Sequence, residues 1–347
     1  MAKWTFLQIE PQKARGTLNE DLWSSKAWVA EEKYDGDRRI AQFCGKVVRF
    51  TGRRQSVKDG LYVEKTENIP HLSGSGLSSL SKGRVPLSLE GTVLDGEMMF
   101  YPEAEVEGGR SKFVTSIMGS LPEEAIKKQL ERGWLEYVVF DCLFYKGTDV
   151  RKEPQWRRRE LAEAAREEWG NRWVRISEQV LTDKRKFLET IFGWGGEGVI
   201  LKDRNAPYGQ DRSWVKVKKT ATADVVIMGY VDAKKLSKKR GQDEATLTKY
   251  AKAGLIGALS VGQYVSGVDE ACGSMQRSTR LGEVATISGM DDDLRKEFTK
   301  NPKKYIGQVV EIEHNGREPT GRFRHPRFNR FRPDKAAVSC VYHEGES

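Results

Sequence analysis

Lys33-Tyr34-Asp35-Gly36-Asp37-Arg38 is answered, much further along the chain, by Trp214-Val215-Lys216-Val217-Lys218. The first stretch sets a lysine ahead of an acid and a glycine that permits a tight bend. The second is a strand pattern whose two alternate lysines share one face. Together they point to a lysine nucleophile held near other cations. A free lysine, with a pKa of about 10.4, is neutral roughly once in 2,500 at pH 7, so its use as a nucleophile needs about 4–5 kcal/mol of help from neighbouring charge, metal or desolvation. Lys-x-Asp-Gly alone fits an ordinary surface lysine equally well.

Outward from these stretches, short apolar runs dominate: Trp28 to Ala30, Val47 to Phe50, Tyr137 to Phe140, Val199 to Leu201, Val225 to Met228 and Val309 to Ile312. Most read as strands. Helices are fewer. Ser120-Leu121-Pro122-Glu123 has capping-box spacing and opens a helix that should stop near Gly133. A second should run from Pro154 to Gly170, a third from Asp183 to Ile191, and one more from Asp292 to Phe298. The expected fold is α+β, an N-terminal domain over 1–220 with largely antiparallel sheets, then an all-β domain over 221–347 whose strand count suits an OB-type barrel. Its first strand is expected to begin at Asp224. Ser73 to Ser79 reads as a flexible surface loop, and no internal repeat is visible.

Gly193-Trp194-Gly195-Gly196-Glu197-Gly198 matches Gly-x-Gly-x-x-Gly, but a helix should precede it and a strand follow, the reverse of a dinucleotide-binding turn. There is no Walker-type loop either, so phosphate binding must rely on side-chain cations and metal. The 347 residues suit two domains, and 59 basic against 50 acidic residues give a net charge of +9 and a pI near 9.2. A polyanionic partner is favoured over an acidic small molecule. With no long apolar run, no basic amphipathic helix and no signal-peptide core at Met1-Ala2-Lys3-Trp4, a cytoplasmic protein that does not engage membranes is expected. Cys44, Cys142, Cys272 and Cys340 lie far apart without a Cys-x-x-Cys pair, which excludes a disulfide framework and a zinc site.

Between the two lysine-bearing stretches come, in order, Thr51-Gly52-Arg53, Leu94-Asp95-Gly96-Glu97, Tyr137 to Asp141 and Glu197-Gly198-Val199-Ile200-Leu201-Lys202. After them stand Arg324-His325-Pro326-Arg327-Phe328 and Arg332-Pro333-Asp334-Lys335. The series resembles the covalent nucleotidyltransferase superfamily and, within it, the ATP-dependent DNA ligases, from about Trp28 to Cys340. Its compact layout, with some 27 residues ahead of the first such strand, is similar to ligases of bacteriophages and some bacteria. The resemblance makes 1–220 an adenylation domain and 221–347 an OB-fold domain. The absence of the NAD-dependent family's four-cysteine zinc module favours ATP.

The resemblance also implies roles. ATP adenylates Lys33, AMP passes to the 5′-phosphate of a nick in duplex DNA, and the 3′-hydroxyl displaces AMP. Asp35 helps arrange metal or the attacking hydroxyl, or caps the turn. Lys216 and Lys218 meet the α-phosphate and repel the charge on Lys33. Arg38 and Arg53 lie near sugar or phosphate, and Glu97 contacts the ribose or Mg²⁺ (or Mn²⁺), while Glu197 holds the metal. Phe140 stacks on adenine or belongs to the core, and Glu31 reads the adenine amino group, with Glu32 the immediate alternative; alternation, which puts Glu31 on the same strand face as Lys33, favours Glu31. Arg332, Asp334 and Lys335 orient the pyrophosphate, with DNA-backbone binding as the competitor for each. Lys234 to Arg240 is a candidate for added grip on DNA or a solvated loop, and a monomer is the default expectation. RNA ligases and mRNA-capping guanylyltransferases share the lysine chemistry. A non-catalytic OB-containing nucleic-acid-binding protein would need charge and aromatics without this arrangement.

Overall fold

The structure, a computed structural model, describes residues 4–75, 84–101, 110–218, 221–233, 248–269, 274–318 and 320–343. Lys234 to Arg240 lies outside the described residues, as does the end of the Ser73 to Ser79 loop. By its internal contacts the chain forms two compact units, Met1–Lys218 and Lys219–Ser347.

The first unit is α+β with two sheets. The larger, of seven strands, runs Tyr62–Glu64, Val47–Gln55, Asp37–Cys44, Val93–Met99, Glu136–Tyr145 and Thr148–Asp149, with Val174–Ile176 parallel to Glu136–Tyr145. The smaller is antiparallel throughout, in the order Trp214–Lys218, Gly198–Asp203, Trp28–Glu32, Gln179–Val180. Alternation gives each sheet two unlike faces. On the smaller, Ala30, Val199, Leu201 and Val215 pack with Trp23 and with Ile191 of the helix Lys184–Gly193. Cross-strand register pairs Glu31 with Ile200 and Gln179, and Ile200 with Lys216, so Gln179, Glu31, Lys202, Lys216 and Lys218 share the opposite, polar face.

The larger sheet behaves likewise. Ala41, Phe43, Leu94, Met98, Tyr137 and Val139 join the main core with Phe113, Ile117 and Trp169 from the helices Arg110–Gly119 and Gln155–Trp169. Each fully buried Leu, Ile, Val, Met or Phe side chain among these contributes about 1.5–3 kcal/mol. Arg38 lies opposite Glu97 and Glu97 opposite Val138, placing Arg38, Glu97, Val138 and Phe140 on the other face.

Gln155–Trp169 starts after Pro154 and ends at Gly170, whose φ of +60° glycine adopts without penalty. Pro122–Arg132 departs from expectation at its cap. Leu121 rather than Ser120 is the N-cap, because the Ser120 hydroxyl donates to the Ser116 carbonyl at 2.7 Å and accepts from the Lys128 ammonium at 2.9 Å.

In the second unit, strands run in the order Ser274–Ile287, Ile256–Asp269, Ala221–Asp232, Val309–His314, Arg327–Phe331, and Val341–His343 pairs in parallel with Ile256–Asp269. The first strand begins at Ala221, before the expected Asp224, since Ala221 to Ala223 already pair with His314 to Ile312. Val225, Ile227, Leu259, Val261, Phe298 and Val310 form its core. Phe298 comes from the helix Asp292–Lys300, whose N-cap Asp291 accepts the Leu294 N–H at 2.7 Å. No helix among the described residues is long and apolar enough to cross a membrane.

Candidate active site

Lys33 follows the last residue of the Trp28–Glu32 strand, and its N–H still donates to the Gly198 carbonyl at 2.8 Å. That bond carries the ladder one residue past the strand. Two glycines make the close packing possible: a Cβ at Gly198 (φ +143°) would lie 2.0 Å from the Val217 carbonyl oxygen, and one at Gly36 2.0 Å from that of Met98. The Lys33 ammonium pairs with the Glu197 carboxylate, which also pairs with Lys218. Burial works to raise the Glu197 pKa, but the two ammonium groups outweigh it and hold the carboxyl below its usual range. Thus a carboxylate lies between Lys33 and Lys218, where sequence reasoning anticipated bare repulsion between cations. Lys216, on the same strand face as Lys218, is exposed.

Arg38 is committed to protein partners. Its Nε and Nη2 donate to the two oxygens of buried Asp95 at 2.9 and 2.5 Å, and it also donates to the Gln12 carbonyl. The Tyr208 hydroxyl donates to the same Asp95 carboxylate at 2.6 Å. The guanidinium carbon lies over the rings of both Phe140 and Trp214, 5.3 Å from each centroid, so the fork sits between acid and aromatics. Glu97 is partly buried, and burial pushes its carboxyl up to about 8 against the pull of Arg38, Lys33 and Arg53. Asp35 and Arg53 are exposed.

Phe140 is 9% exposed, its ring edge-to-face with Trp214 at 5.9 Å and 4.6 Å from the Lys202 ammonium. Lys202 also lies 4.3 Å from the Trp214 ring and donates to the Phe140 carbonyl at 3.3 Å, tying the two sheets together. Its main partner is Glu31, at 2.8 Å. Glu31 is buried, with further donors in the Ser177 hydroxyl and the Gln179 amide. Its side chain is therefore wrapped by protein groups rather than open to a ligand.

In the second unit, Asp224 and Glu311 face each other as direct cross-strand partners, a like-charge pair that needs cations. Arg332 supplies one, with Nη1 3.0 Å from Asp224 and 3.2 Å from Glu311 while Nη2 meets Asp334 at 2.8 Å. Lys335 adds a second, 2.7 Å from Asp224, and Arg330 a third, 3.0 Å from Glu311.

In the first unit the structure thus gathers Glu31, Lys33, Arg38, Glu97, Phe140, Glu197, Lys216 and Lys218 on the polar faces of the two sheets; Arg332 and Lys335 stand together in the second. Asp95, Gln179, Lys202, Tyr208 and Trp214 join the first-unit set although sequence reasoning gave them no part. Alternation could have found three of these, since Asp95 is two residues from Glu97, Lys202 two from Ile200, and Trp214 two from Lys216. Gln179 and Tyr208 carry no local signal. Among the described residues no three Asp, Glu, His or Cys side chains converge as a metal cage. An octahedral cation that keeps its waters and takes phosphate oxygens needs only one or two carboxylates. Glu197, whose carboxyl is held below its usual range, fits that donor set, and Glu97 joins it only once a cation displaces the proton that burial favours.

Residues 12–218 match the family model described as ATP dependent DNA ligase domain. The chain is 30% identical over 212 residues to the multifunctional non-homologous end joining protein LigD of Pseudomonas aeruginosa, covering 60% of this chain and 22% of that protein. Against DNA ligase 1 of Methanosarcina mazei it is 26% identical over 350 residues, covering 90% of this chain and 56% of the relative. The chain therefore spans between about a fifth and a little over half of the length of these relatives. Among solved structures, one from a structure-function study of Lig E DNA ligases that describes DNA binding with a minimal scaffold superposes with a TM-score of 0.57 at 16% identity, over 95% of this chain and all of that one. At that identity the likeness speaks for the fold, while the family model covers more than half of the sequence, including every first-unit residue gathered above and none of the second unit's: the chain belongs to the ATP-dependent DNA ligase domain family.

Proposed function

We propose that this chain is an ATP-dependent DNA ligase that seals 5′-phosphate/3′-hydroxyl nicks in duplex DNA through a lysyl-AMP intermediate on Lys33. The observation that carries the reading is the Lys33–Glu197–Lys218 chain of ion pairs on one polar sheet face beside Arg38, Glu97 and Phe140. In the first step the Lys33 ammonium gives up a proton to solvent, its neutral nitrogen bonds the α-phosphorus of ATP, and the bond from that phosphorus to the bridging oxygen breaks as pyrophosphate leaves. For that, Glu197 must release Lys33, and Lys218 and Lys216 then meet the phosphate charge that develops. Arg38, braced by Asp95, and Arg53 border the sugar and phosphates. Asp35 arranges the attacking group. Glu197, with Glu97 once it has lost its proton, would hold Mg²⁺, which when bound neutralises phosphate charge. The second unit serves as an OB-fold domain whose Arg332 and Lys335 orient the departing pyrophosphate. The protein acts as an intracellular monomer on nicked DNA.

Incubation with labelled ATP or GTP and Mg²⁺, followed by acid denaturation, tests the reading. Label from ATP that stays on the protein supports it, label from GTP supports the capping-type alternative, and no label from either removes both. Sealing assays on nicked DNA, nicked RNA and hybrids then separate DNA from RNA ligase.

Phe140→Ala should weaken ATP binding by roughly 1–3 kcal/mol while slowing chemistry less, if its ring stacks on the base. Titration calorimetry on a folded variant checks it, and unchanged affinity would assign Phe140 to the core alone.

Glu97 offers a readout in stability. Its folded pKa of about 8 exceeds that of an ordinary carboxyl, so between the two values the folded state holds a proton that the unfolded state has lost. Stability must then fall as pH rises through that window, with the cost complete above about 8. Glu97→Gln should therefore match the parent in thermal stability near pH 5 and exceed it at pH 9 by on the order of 1–2 kcal/mol, allowing for partial solvent access. A difference that does not change with pH would contradict this assignment.

A further inference from the structure

Arg38 is held by more than the Asp95 carboxylate. Asp95 is fully buried and, ionised, can only accept, so the Tyr208 hydroxyl 2.6 Å away must donate its one proton there. That fixes the direction of the other bonds. The lone pairs of the Tyr208 oxygen accept the Gln12 N–H at 2.9 Å and an Arg38 Nη2–H at 3.4 Å, while the Gln12 carbonyl accepts from Arg38 Nη1. Gln12, Tyr208, Asp95 and Arg38 thus close a ring of hydrogen bonds. Four of the five guanidinium N–H groups have protein acceptors, which leaves one, on Nη1, to meet a ligand.

Gln12 lies in no strand or helix, so its own fastening matters. Its side-chain Nε2 donates to Ser213 Oγ at 2.8 Å and to the Gln210 carbonyl at 3.4 Å, and its Oε1 accepts the Gly209 N–H at 2.7 Å. Further along, the Gly16 N–H donates to the Trp214 carbonyl at 3.0 Å, and a Cβ at Gly16 would lie 2.5 Å from Val215 Cγ2. The segment is therefore drawn close against the strand Trp214–Lys218. The Tyr208 ring meets Trp214 edge-to-face at 6.1 Å and packs on the cluster that includes Ile9 and Ile40.

We infer that Tyr208 is a positioning residue for adenylation: its hydroxyl, joined to Asp95 and to Gln12, sets the Arg38 guanidinium in the orientation in which the remaining N–H meets the nucleotide. The inference rests on the reading that Arg38 borders the sugar and phosphates of ATP. The bidentate pair with Asp95 fixes the plane of the fork, but alone it leaves the two side chains able to swing together. The bonds from Tyr208 and Gln12 stop that motion. A cation attracts phosphate from any nearby position, whereas a misplacement of about 1 Å can cost a hundredfold in rate. Loss of the hydroxyl should therefore lower the rate at saturating ATP more than the affinity for it.

The test is a double-mutant cycle on the full chain: parent, Tyr208→Phe, Arg38→Gln and the two together, each followed by single-turnover labelling with ATP and Mg²⁺ over a range of ATP concentrations. Tyr208→Phe keeps the ring and its packing and removes only the hydroxyl. It should lower the maximal labelling rate about tenfold while half-saturating ATP changes by less than about threefold. With Arg38→Gln in place the same change should have little further effect, because no guanidinium is left to position. An equal loss in both backgrounds overturns the inference, as does a parental rate in Tyr208→Phe or in Arg38→Gln. A smaller labelled fraction at the parental rate, the mark of partly unfolded protein, also overturns it. Should Tyr208→Phe fail to fold by circular dichroism, Gln12→Leu replaces it in the cycle with the same expected non-additivity, since it unfastens the segment from Gly209 and Ser213. A parent that takes no label from ATP is a different result: it removes the ligase reading and the inference with it.

Discussion

Lys33→Ala should remove transfer of AMP from ATP to the protein by at least roughly 10⁴-fold, the scale on which covalent enzymes lose activity when their nucleophile is deleted. Alanine has no atom to attack the α-phosphorus, and Lys218, which shares the Glu197 carboxylate, is tied to it. The same variant should still seal a chemically pre-adenylated nick, because there the AMP is already on the DNA and the 3′-hydroxyl is the attacking group. Its fold should survive, since Lys33 is partly exposed and its backbone N–H, which bonds Gly198, is unchanged. One structural effect is expected alongside: Glu197 loses one of the two cations that lower its pKa, so its carboxyl should titrate higher in the variant. Gel detection of labelled protein and sealing of the two kinds of nick check the result. Near-parental labelling would refute Lys33 as nucleophile.

What the sequence discloses and what it hides follow from the range of the interactions. Strands with a continuous apolar run, such as Val199 to Leu201 or Val309 to Ile312, are written locally, because burial on a pleated surface has a period of two residues. The same period puts Lys216 and Lys218 on one face. The strand Asp37–Cys44 is harder to see, since Asp37, Arg38, Arg39 and Gln42 break up its apolar residues and their partners lie elsewhere in the chain. Asp95 answers Arg38, and Asp37 with the Val63 carbonyl answers Arg39. Charge pairing across the site is equally remote. Glu197 is 164 residues from Lys33, so a series of spaced motifs can suggest that the two converge but not that the carboxylate takes the lysine as its ion-pair partner. Glu31 shows the limit from the other side: alternation places it on the polar face, while its closure from solvent depends on Gln179 and Lys202 from two strands and on Ser177 from the link before Gln179, all contributed from far along the chain.

Replacing Arg332 and Lys335 together with alanine should slow adenylation by ATP on the order of a hundredfold or more while leaving much of the sealing of pre-adenylated nicks. If the two cations orient pyrophosphate, they act only while it departs, and a nick that already carries AMP bypasses that step. Both, however, also neutralise acids of their own unit. Removing them leaves Asp224 and Glu311 facing each other with Arg330 as the remaining cation on Glu311, so the double variant should also destabilise the second unit. A loss of adenylation could then come from unfolding instead of chemistry. Adding Asp224→Asn removes one charge of the facing pair and should restore stability without returning a cation to the pyrophosphate. Circular dichroism melts, adenylation and pre-adenylated sealing on the double and triple variants separate the causes. Adenylation that returns with stability in the triple variant would make Arg332 and Lys335 structural cations. Equal loss in both assays from a folded protein would point to DNA-backbone binding by the basic tail, which also predicts a shallower salt dependence of DNA binding in the variants. A defect confined to adenylation in a folded triple variant is the outcome expected of residues that act on the leaving group.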